Sequence, residues 1–169
     1  MKVTFFGSGS FAVPTLRALA ESGHELLGVL TQPARPAGRG GRLRPTPVAH
    51  ACEQFGIRPF ECADVNAPEA VAAVADDAPD AICVVDFGQF VRKPMRDAAR
   101  MDCLNLHGSL LPELRGAAPI HWAILRGFRV TGVTTFSLVD KMDAGDVYLQ
   151  AETPLDPHTT ADELRDTLA

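Results

Sequence analysis

Asp80-Ala81-Ile82-Cys83-Val84-Val85 is a segment of β-strand length in which one acid is followed only by apolar residues. Strands that are apolar on every residue are buried on both faces, as in parallel sheets covered by helices. Strand-like and helix-like segments alternate on both sides of this segment, beginning with Val3-Thr4-Phe5-Phe6. The sequence therefore predicts an α/β fold: a doubly wound, mostly parallel sheet with helices on both faces.

The pattern of apolar residues and turn signals also predicts where the elements lie. Strands are predicted at 3–6, 25–31, 57–60, 80–85, 102–106, 130–138 and 147–153, and helices at 11–22, 48–55, 67–75, 94–100 and 117–126. Residues 32–47 are predicted to be a long loop. Thr160-Ala161-Asp162-Glu163 has the spacing of a capping box. The sequence stops about two turns into the helix that follows, so we interpret residues 1–169 as one domain that is cut short at its C-terminal end.

Composition limits the class of protein. Of the 169 residues 46% are hydrophobic and 22% charged, which is ordinary for a soluble globular domain. No apolar stretch approaches the ~20 residues that a membrane span needs, so no membrane association is predicted. The four cysteines are scattered and lack a CxxC pair, which favours reduced thiols in a cytoplasmic protein.

Charge is distributed unevenly along the chain. The formal net charge is −5, which argues against a surface that binds nucleic acid all over. Residues 32–46, however, contain four arginines and no acid: Arg35, Arg39, Arg42 and Arg44. Arginine pairs with phosphate in a fork geometry, so this segment is either a nucleic-acid backbone contact or a solvated loop without a partner.

Asn105-Leu106-His107-Gly108-Ser109-Leu110-Leu111-Pro112 directly follows a predicted buried strand. Residues two apart in a strand point to the same side, so the side chains of Asn105 and His107 should enter one pocket. An amide donor beside an imidazole suits acyl transfer, which needs oxyanion stabilisation and proton movement. The alternative is a buried histidine that is satisfied by a backbone carbonyl.

Two further segments carry candidate chemistry. Gly7-Ser8-Gly9-Ser10-Phe11-Ala12 fits the dinucleotide-binding pattern, but the second predicted strand ends in Thr31-Gln32 without the expected acid. A tight turn that allows close helix packing is the alternative. The segment 139–146 places three carboxylates around a glycine turn; one of them could orient His107. No second histidine has the spacing for a metal site, and no metal is predicted.

Taken together, these residues resemble the methionyl-tRNA formyltransferases, within the folate-dependent formyltransferase family. The resemblance rests on Asn105 to Pro112 followed by Arg115 to Ile120, on Met142-Asp143-Ala144-Gly145-Asp146, and on the segment from Gln32 to Val48. It covers essentially all 169 residues. It implies a Rossmann-like formyltransferase fold, and the family's C-terminal β-barrel domain has no counterpart in this sequence.

The resemblance implies transfer of a formyl group from 10-formyltetrahydrofolate to the amino group of methionyl initiator tRNA, without a metal. Asn105, His107 and Asp143 would be catalytic, with Asp143 holding His107 charged and relaying a proton through water. The loop 32–46 would contact the tRNA, and no protein partner is predicted. The folate would be bound by Phe87, Gly88, Gln89, Phe90, Ser109, Leu110, Leu111, Pro112, Val139 and Asp140.

The chain departs from the family pattern in the segment expected to bind the pterin. Asp86 stands where the family usually has a small residue, and Phe90 stands where it has isoleucine or a similar residue. Two alternatives accompany the main expectation, and the departures at Asp86 and Phe90 favour the second of them. One is a formyltransferase that acts on an amino-sugar nucleotide, and the other is a catalytically impaired fragment that binds folate or a nucleotide.

Overall fold

The computed structural model of the chain describes residues 1–38 and 41–169. The contacts divide the chain into an N-terminal unit, Met1–Cys103, and a C-terminal unit, Leu104–Ala169. The strands are β1 (Lys2–Gly7), β2 (Glu25–Thr31), β3 (Arg35–Ala37), β4 (Arg42–Arg44), β5 (Phe60–Glu61), β6 (Ala81–Val85), β7 (Asp102–His107), β8 (Val130–Ser137) and β9 (Val147–Pro154). The α-helices are α1 (Val13–Ala20), α2 (Pro47–Gln54), α3 (Pro68–Asp76), α4 (Lys93–Arg96), α5 (Pro119–Leu125) and α6 (Ala161–Leu168).

Parallel strands build the sheet of the N-terminal unit. β1 pairs in parallel with β2 on one side and with β6 on the other, and β2 pairs in parallel with β5. β6 is buried at four of its five residues, which confirms the prediction from the apolar segment 80–85. The phenyl rings of Phe5 and Phe6 in β1 are fully buried, as are Val29 and Ile82 in the neighbouring strands. Consecutive residues are buried in both β1 and β6, so both faces of these strands lie in the core, and β6 is apolar at every residue.

Antiparallel strands build the sheet of the C-terminal unit. β7 pairs with β8 and β8 with β9, both antiparallel. α6 begins with the predicted capping box: the Thr160 side chain accepts from the Glu163 N–H, and the Glu163 carboxylate accepts from the Thr160 N–H. Leu164 and Leu168 form the buried side of this helix.

The strand order of the seven-stranded sheet is β5-β2-β1-β6-β7-β8-β9, and β3 and β4 form a separate two-stranded hairpin. The α/β, doubly wound class with a mostly parallel sheet is therefore confirmed. No helix in the described ranges 1–38 and 41–169 has the length and apolar character required to traverse a lipid bilayer.

Four predicted elements differ from the structure. The expected loop 32–47 contains the hairpin β3–β4, whose exposed arginines gave no apolar alternation to reveal it. The strand expected at 57–60 is Phe60–Glu61, and the helix expected at 94–100 is the short α4. The helix expected at 11–22 is divided into a 3-10 turn at Ser10–Ala12 and α1, which has Pro14 in its first turn.

Candidate active site

His107 ends β7 and is buried, with 8% of its surface exposed. Its Nε2 lies 3.0 Å from the main-chain oxygen of Leu114, and its Nδ1 lies 3.9 Å from Oδ2 of Asp143. The ring also packs edge-on against Phe136, with 6.4 Å between centroids. The structure therefore has a feature of each predicted role of this histidine. A backbone carbonyl contacts one ring nitrogen, as in a structural histidine, and the other nitrogen faces a carboxylate, as in an acid–base residue.

A carbonyl oxygen can only accept a hydrogen bond, so the contact with Leu114 requires the proton to be on Nε2 of His107. In the neutral ring, Nδ1 then carries the lone pair. Nδ1 is therefore the nitrogen that gains or loses a proton, and it is the one that faces Asp143. This fixed tautomer is the arrangement that a general acid or base requires.

Asp143 is held by the same backbone segment that holds His107. The N–H of Gly116 donates to Oδ2 of Asp143 at 2.7 Å, which is the short distance of a charge-assisted hydrogen bond. Leu114 and Gly116 thus connect the imidazole and the carboxylate through two main-chain groups separated by one residue. Neither was singled out from the sequence, because a backbone contribution has no side-chain signature.

The backbone around this pair adopts the left-handed region at several residues. φ is +55° at Leu114, +57° at Ala118 and +47° at Asp143, where a residue other than glycine costs of order 1 kcal/mol or more. Gly116 also has a positive φ, +89°, which glycine adopts without this cost. Such residues cluster at functional sites because surrounding structure must impose them.

Asn105 lies two residues before His107 in β7, opposite Phe136 of β8. His107 lies opposite Thr134 of the same strand. The alternation of a strand places the Asn105 and His107 side chains on the same face, as predicted. The C-terminal unit therefore brings together His107 and Asp143 by direct contact and Asn105 by strand register.

The predicted folate-binding segment after β7, Ser109 to Pro112, lies within the C-terminal unit. Ser109 is buried and its hydroxyl donates to the main-chain oxygen of Glu113 at 2.7 Å. Leu110 lies against Gly132, where an added Cβ would be 2.7 Å from its side chain. Leu111 is buried, and Pro112, which follows through a cis peptide bond, is exposed.

The loop between β8 and β9 carries Val139, Asp140 and Asp143. Val139 and Asp140 are exposed. The loop is fastened to the end of β8, because the Ser137 N–H donates to the Asp146 oxygen at 2.9 Å. A Cβ added to Gly145 would lie 1.7 Å from the Ser137 oxygen, so only glycine fits there.

In the N-terminal unit, the predicted segment Phe87 to Phe90 is held by polar side chains. The Phe87 oxygen accepts from the Ser8 hydroxyl at 3.0 Å and from the Gln32 amide at 2.8 Å. The Gln89 amide donates to the Cys62 oxygen at 2.9 Å and accepts from the Val65 N–H at 2.8 Å. The Gln89 side chain therefore has a structural role, while the Phe90 ring is exposed. Gly88 has φ +78°, and an added Cβ would lie 2.5 Å from Nε2 of Gln32.

The Gly7–Ala12 segment is a tight turn. The N–H groups of Ser8 and Gly9 both donate to the Asp86 oxygen, at 3.1 and 3.0 Å. A Cβ added to Gly9 would fall 1.7 Å from the Asp86 carboxylate, and one added to Gly7 would fall 3.0 Å from the Ala12 side chain. The amides that would bind a pyrophosphate are thus occupied, and these contacts favour the close-packing interpretation over the dinucleotide-binding one.

The hairpin β3–β4 aligns three of the four predicted tRNA-contacting arginines. Arg35 pairs with Arg44, and Arg42 lies two residues before Arg44. Directly opposed residues and residues two apart share a face, so these three exposed side chains point to one side. Arg35 also donates to Oε1 of Gln32. Arg39 lies outside the described residues.

No group of three or more His, Cys, Asp or Glu in residues 1–38 and 41–169 is arranged to hold a metal ion.

Comparison with known proteins assigns the family. The formyl transferase family model matches residues 1–169. The chain belongs to the formyl transferase family. This formyl transferase chain is 41% identical over 169 residues to the methionyl-tRNA formyltransferase of Geotalea uraniireducens and 44% identical over 172 residues to that of Bacillus mycoides. Each match covers 100% of this chain and 54% of the relative, so the chain spans about half the length of these curated relatives.

Solved structures show the same fold at lower identity. The phosphoribosylglycinamide formyltransferase of Anaplasma phagocytophilum has a TM-score of 0.80 and 21% identity, over 99% of this formyl transferase chain and 79% of that one. A glycinamide ribonucleotide transformylase of Symbiobacterium toebii has a TM-score of 0.75 and 22% identity, over 99% and 80% of the two chains. At these identities the likeness establishes the fold alone.

Proposed function

We propose that the chain carries the catalytic part of an enzyme that transfers a formyl group from 10-formyltetrahydrofolate to the amino group of methionyl initiator tRNA. The observation that carries the proposal is the pair formed by His107 and Asp143, fixed by the backbone of Leu114 and Gly116. Identities of 41% and 44% to methionyl-tRNA formyltransferases support the choice of acceptor.

In the proposed reaction, the lone pair of the methionyl amine attacks the formyl carbon, and the π electrons of the carbonyl move to its oxygen. The bond between that carbon and N10 of the folate then breaks, and the proton lost by the amine is transferred to N10. The products are formylmethionyl-tRNA and tetrahydrofolate. Negative charge on the formyl oxygen is the feature that a catalyst must stabilise.

The residues of the C-terminal unit suit these steps. Protonated His107 has Nε2–H committed to Leu114, so Nδ1–H is the group that donates to the formyl oxygen, and the Asn105 amide is the second donor. Asp143 places a negative charge beside the imidazolium and, through water, passes the amine proton to the leaving nitrogen. The separation of 3.9 Å between Nδ1 and Oδ2 leaves this histidine proton uncommitted to a direct hydrogen bond.

We assign folate binding to the segments Phe87 to Phe90 and Ser109 to Pro112, together with Val139 and Asp140. Support comes from the hydrogen bonds that order the first two segments, since a preformed site loses less entropy on binding.

All four cysteines, each in the described part of the chain, are free thiols. This state suits the reducing cytoplasm to which we assign the protein.

The hairpin β3–β4 is the proposed contact with the tRNA backbone. Arg35, Arg42 and Arg44 present three positive charges on one side of two strands, a spacing suited to successive phosphates. Arg39, between the strands in sequence, is assigned to the same contact. An amino-sugar nucleotide acceptor would not need this row of arginines.

The decisive experiment is formyl transfer by this chain to methionyl initiator tRNA and, in parallel, to an amino-sugar nucleotide. Product should form on the tRNA and depend on 10-formyltetrahydrofolate. Alanine at Arg35, Arg42 and Arg44 should weaken tRNA binding and reduce the slope of log affinity against log salt by about 1 for each residue. The matched control is Arg58→Ala, at an exposed arginine outside the hairpin. Preference for the sugar acceptor, or equal effects of Arg58→Ala, would reject the proposal.

A further inference from the structure

Thr134 lies at the centre of a row of three residues that crosses the sheet of the C-terminal unit. It pairs with His107 of β7 on one side and with Gln150 of β9 on the other. Directly opposed residues of neighbouring strands project from the same face. The histidine that we assign to catalysis, a buried threonine and a glutamine of strand β9 therefore share one face of the sheet.

The Thr134 hydroxyl has all its hydrogen-bonding capacity in use. It donates to the Ser109 oxygen at 2.7 Å and accepts from the Leu111 N–H at 3.0 Å and from Nε2 of Gln150 at 2.9 Å. A hydroxyl has one donor and two acceptor sites, so this set is complete. Thr134 is 0% exposed and Ser109 is 1% exposed. Main-chain groups at this depth are costly to leave unpaired.

The Gln150 side-chain amide binds both Thr134 and the main chain of Leu111. Its Nε2 donates to the Leu111 oxygen at 2.8 Å as well as to Thr134, which uses both of its hydrogens. The N–H and C=O of Leu111 are consequently both bound by side chains of β8 and β9. Gln150 itself is an exposed residue, so water can hydrogen-bond its side-chain amide. The amide therefore does not need Leu111 or Thr134 as hydrogen-bond partners.

We propose that Thr134 and Gln150 are positioning residues that fix the segment Ser109 to Leu111 over the sheet beside His107, and that they thereby set the affinity for the folate co-substrate. This inference rests on the proposed function. It assigns no chemistry to either residue. Their effect reaches the co-substrate through the main chain of Ser109 and Leu111, which belong to the folate-binding segment.

The test uses three variants of the full 169-residue chain and one control variant. Thr134→Val keeps the side-chain shape but removes the hydroxyl, and Thr134→Ser retains the hydroxyl. Gln150→Glu keeps the size but replaces the N–H donors with oxygens that cannot donate. Glu152→Gln, two residues further along β9 and also exposed, is the matched surface control. Gln150→Glu keeps the test open if the buried Thr134→Val variant fails to fold.

Two measurements separate this inference from the proposed function. The first is amide hydrogen exchange at Leu111, which needs no ligand and should accelerate about tenfold or more in Thr134→Val and Gln150→Glu. The second is binding of tetrahydrofolate by calorimetry, where the dissociation constant should rise roughly tenfold in the same variants and stay within about twofold in Thr134→Ser and Glu152→Gln. In turnover assays, the KM for the formyl donor should rise more than kcat falls.

The outcomes are distinct. If the unaltered chain does not bind tetrahydrofolate, the proposed function fails, and with it the co-substrate role; Leu111 exchange then still decides whether the pair fixes the segment. If the unaltered chain binds but Thr134→Val and Gln150→Glu bind equally well, the inference is overturned while the proposed function stands. Equal losses in Thr134→Ser and Thr134→Val would also overturn it, since the hydroxyl would then not be the cause.

Discussion

Asp143 is bound to Gly116 by a hydrogen bond of 2.7 Å from the Gly116 N–H to its Oδ2, the oxygen that also faces His107. The carboxylate is therefore oriented by the main chain before any substrate arrives. Preorganised charge of this kind needs little rearrangement during reaction, and this is the basis of electrostatic catalysis.

Replacing Asp143 by asparagine separates its charge from its hydrogen bond. The amide oxygen of Asp143→Asn can still accept from the Gly116 N–H, so the fold should be kept, but the negative charge beside His107 is lost. We expect single-turnover formyl transfer to fall about 100-fold or more, with an unchanged thermal unfolding midpoint. His107→Ala should be at least as defective. Near-normal transfer by either variant would remove these residues from the mechanism.

The tautomer of His107 is a separate prediction that requires no assay of activity. Because the Leu114 carbonyl can only accept, the neutral ring should carry its proton on Nε2. Nitrogen NMR of the ring distinguishes the two tautomers directly, and His24, which is exposed, is an internal comparison without this constraint. A neutral ring protonated on Nδ1 would contradict the assignment of Nδ1 as the nitrogen that exchanges protons.

The fold was predictable where burial leaves a local pattern. β6 is apolar at every residue because it is buried, and β2 was predicted at its observed bounds. The hairpin β3–β4 was missed because its exposed arginines create no alternation of apolar and polar residues. β5, with two exposed residues, gave a similarly weak signal.

The candidate site was predictable only where side chains carry the chemistry. Asn105 and His107 stood out by their alternation at the end of a strand, and the family resemblance selected Asp143 from three neighbouring carboxylates. The contacts of Leu114 and Gly116 are made by main-chain groups, which leave no signature in the sequence, and the left-handed φ of Leu114 leaves none either. Gln150 lies in a strand that is exposed at almost every residue, so its sequence context does not distinguish it from a surface glutamine without a role.

Gly145 should tolerate no side chain. A Cβ there would lie 1.7 Å from the Ser137 oxygen, so the loop that carries Asp143 must shift if alanine is introduced. We expect Gly145→Ala to lower the free energy of unfolding by about 1 to 3 kcal/mol, the usual cost of overpacking, and to reduce transfer further by moving the carboxylate. Urea unfolding and transfer rates measure the two effects. Gly23→Ala is the control, because nothing lies within 4 Å of an added Cβ there.

Two thiols with raised pKa values, those of Cys83 and Cys103, should make the protein sensitive to alkaline pH. Burial raises the pKa of Cys83 from 9.0 to about 11, and burial followed by the nearby Asp102 charge raises the pKa of Cys103 from 9.0 to about 12. Below pH 9 the folded and unfolded chains both hold these protons, so the stabilising contribution is complete. Between pH 9 and 12 the unfolded chain releases protons that the folded chain retains, and the free energy of unfolding must fall.

Urea unfolding at pH 8.0 and at about pH 10.5 tests this linkage. The unaltered chain should lose stability between the two conditions. Cys103→Ala, which lacks the titrating group, should lose less, whatever its starting stability at pH 8.0. Comparing the change with pH rather than the absolute stability cancels the cost of the cavity that alanine leaves. An identical fall in both proteins would mean that the Cys103 thiol does not hold its proton more tightly in the folded state.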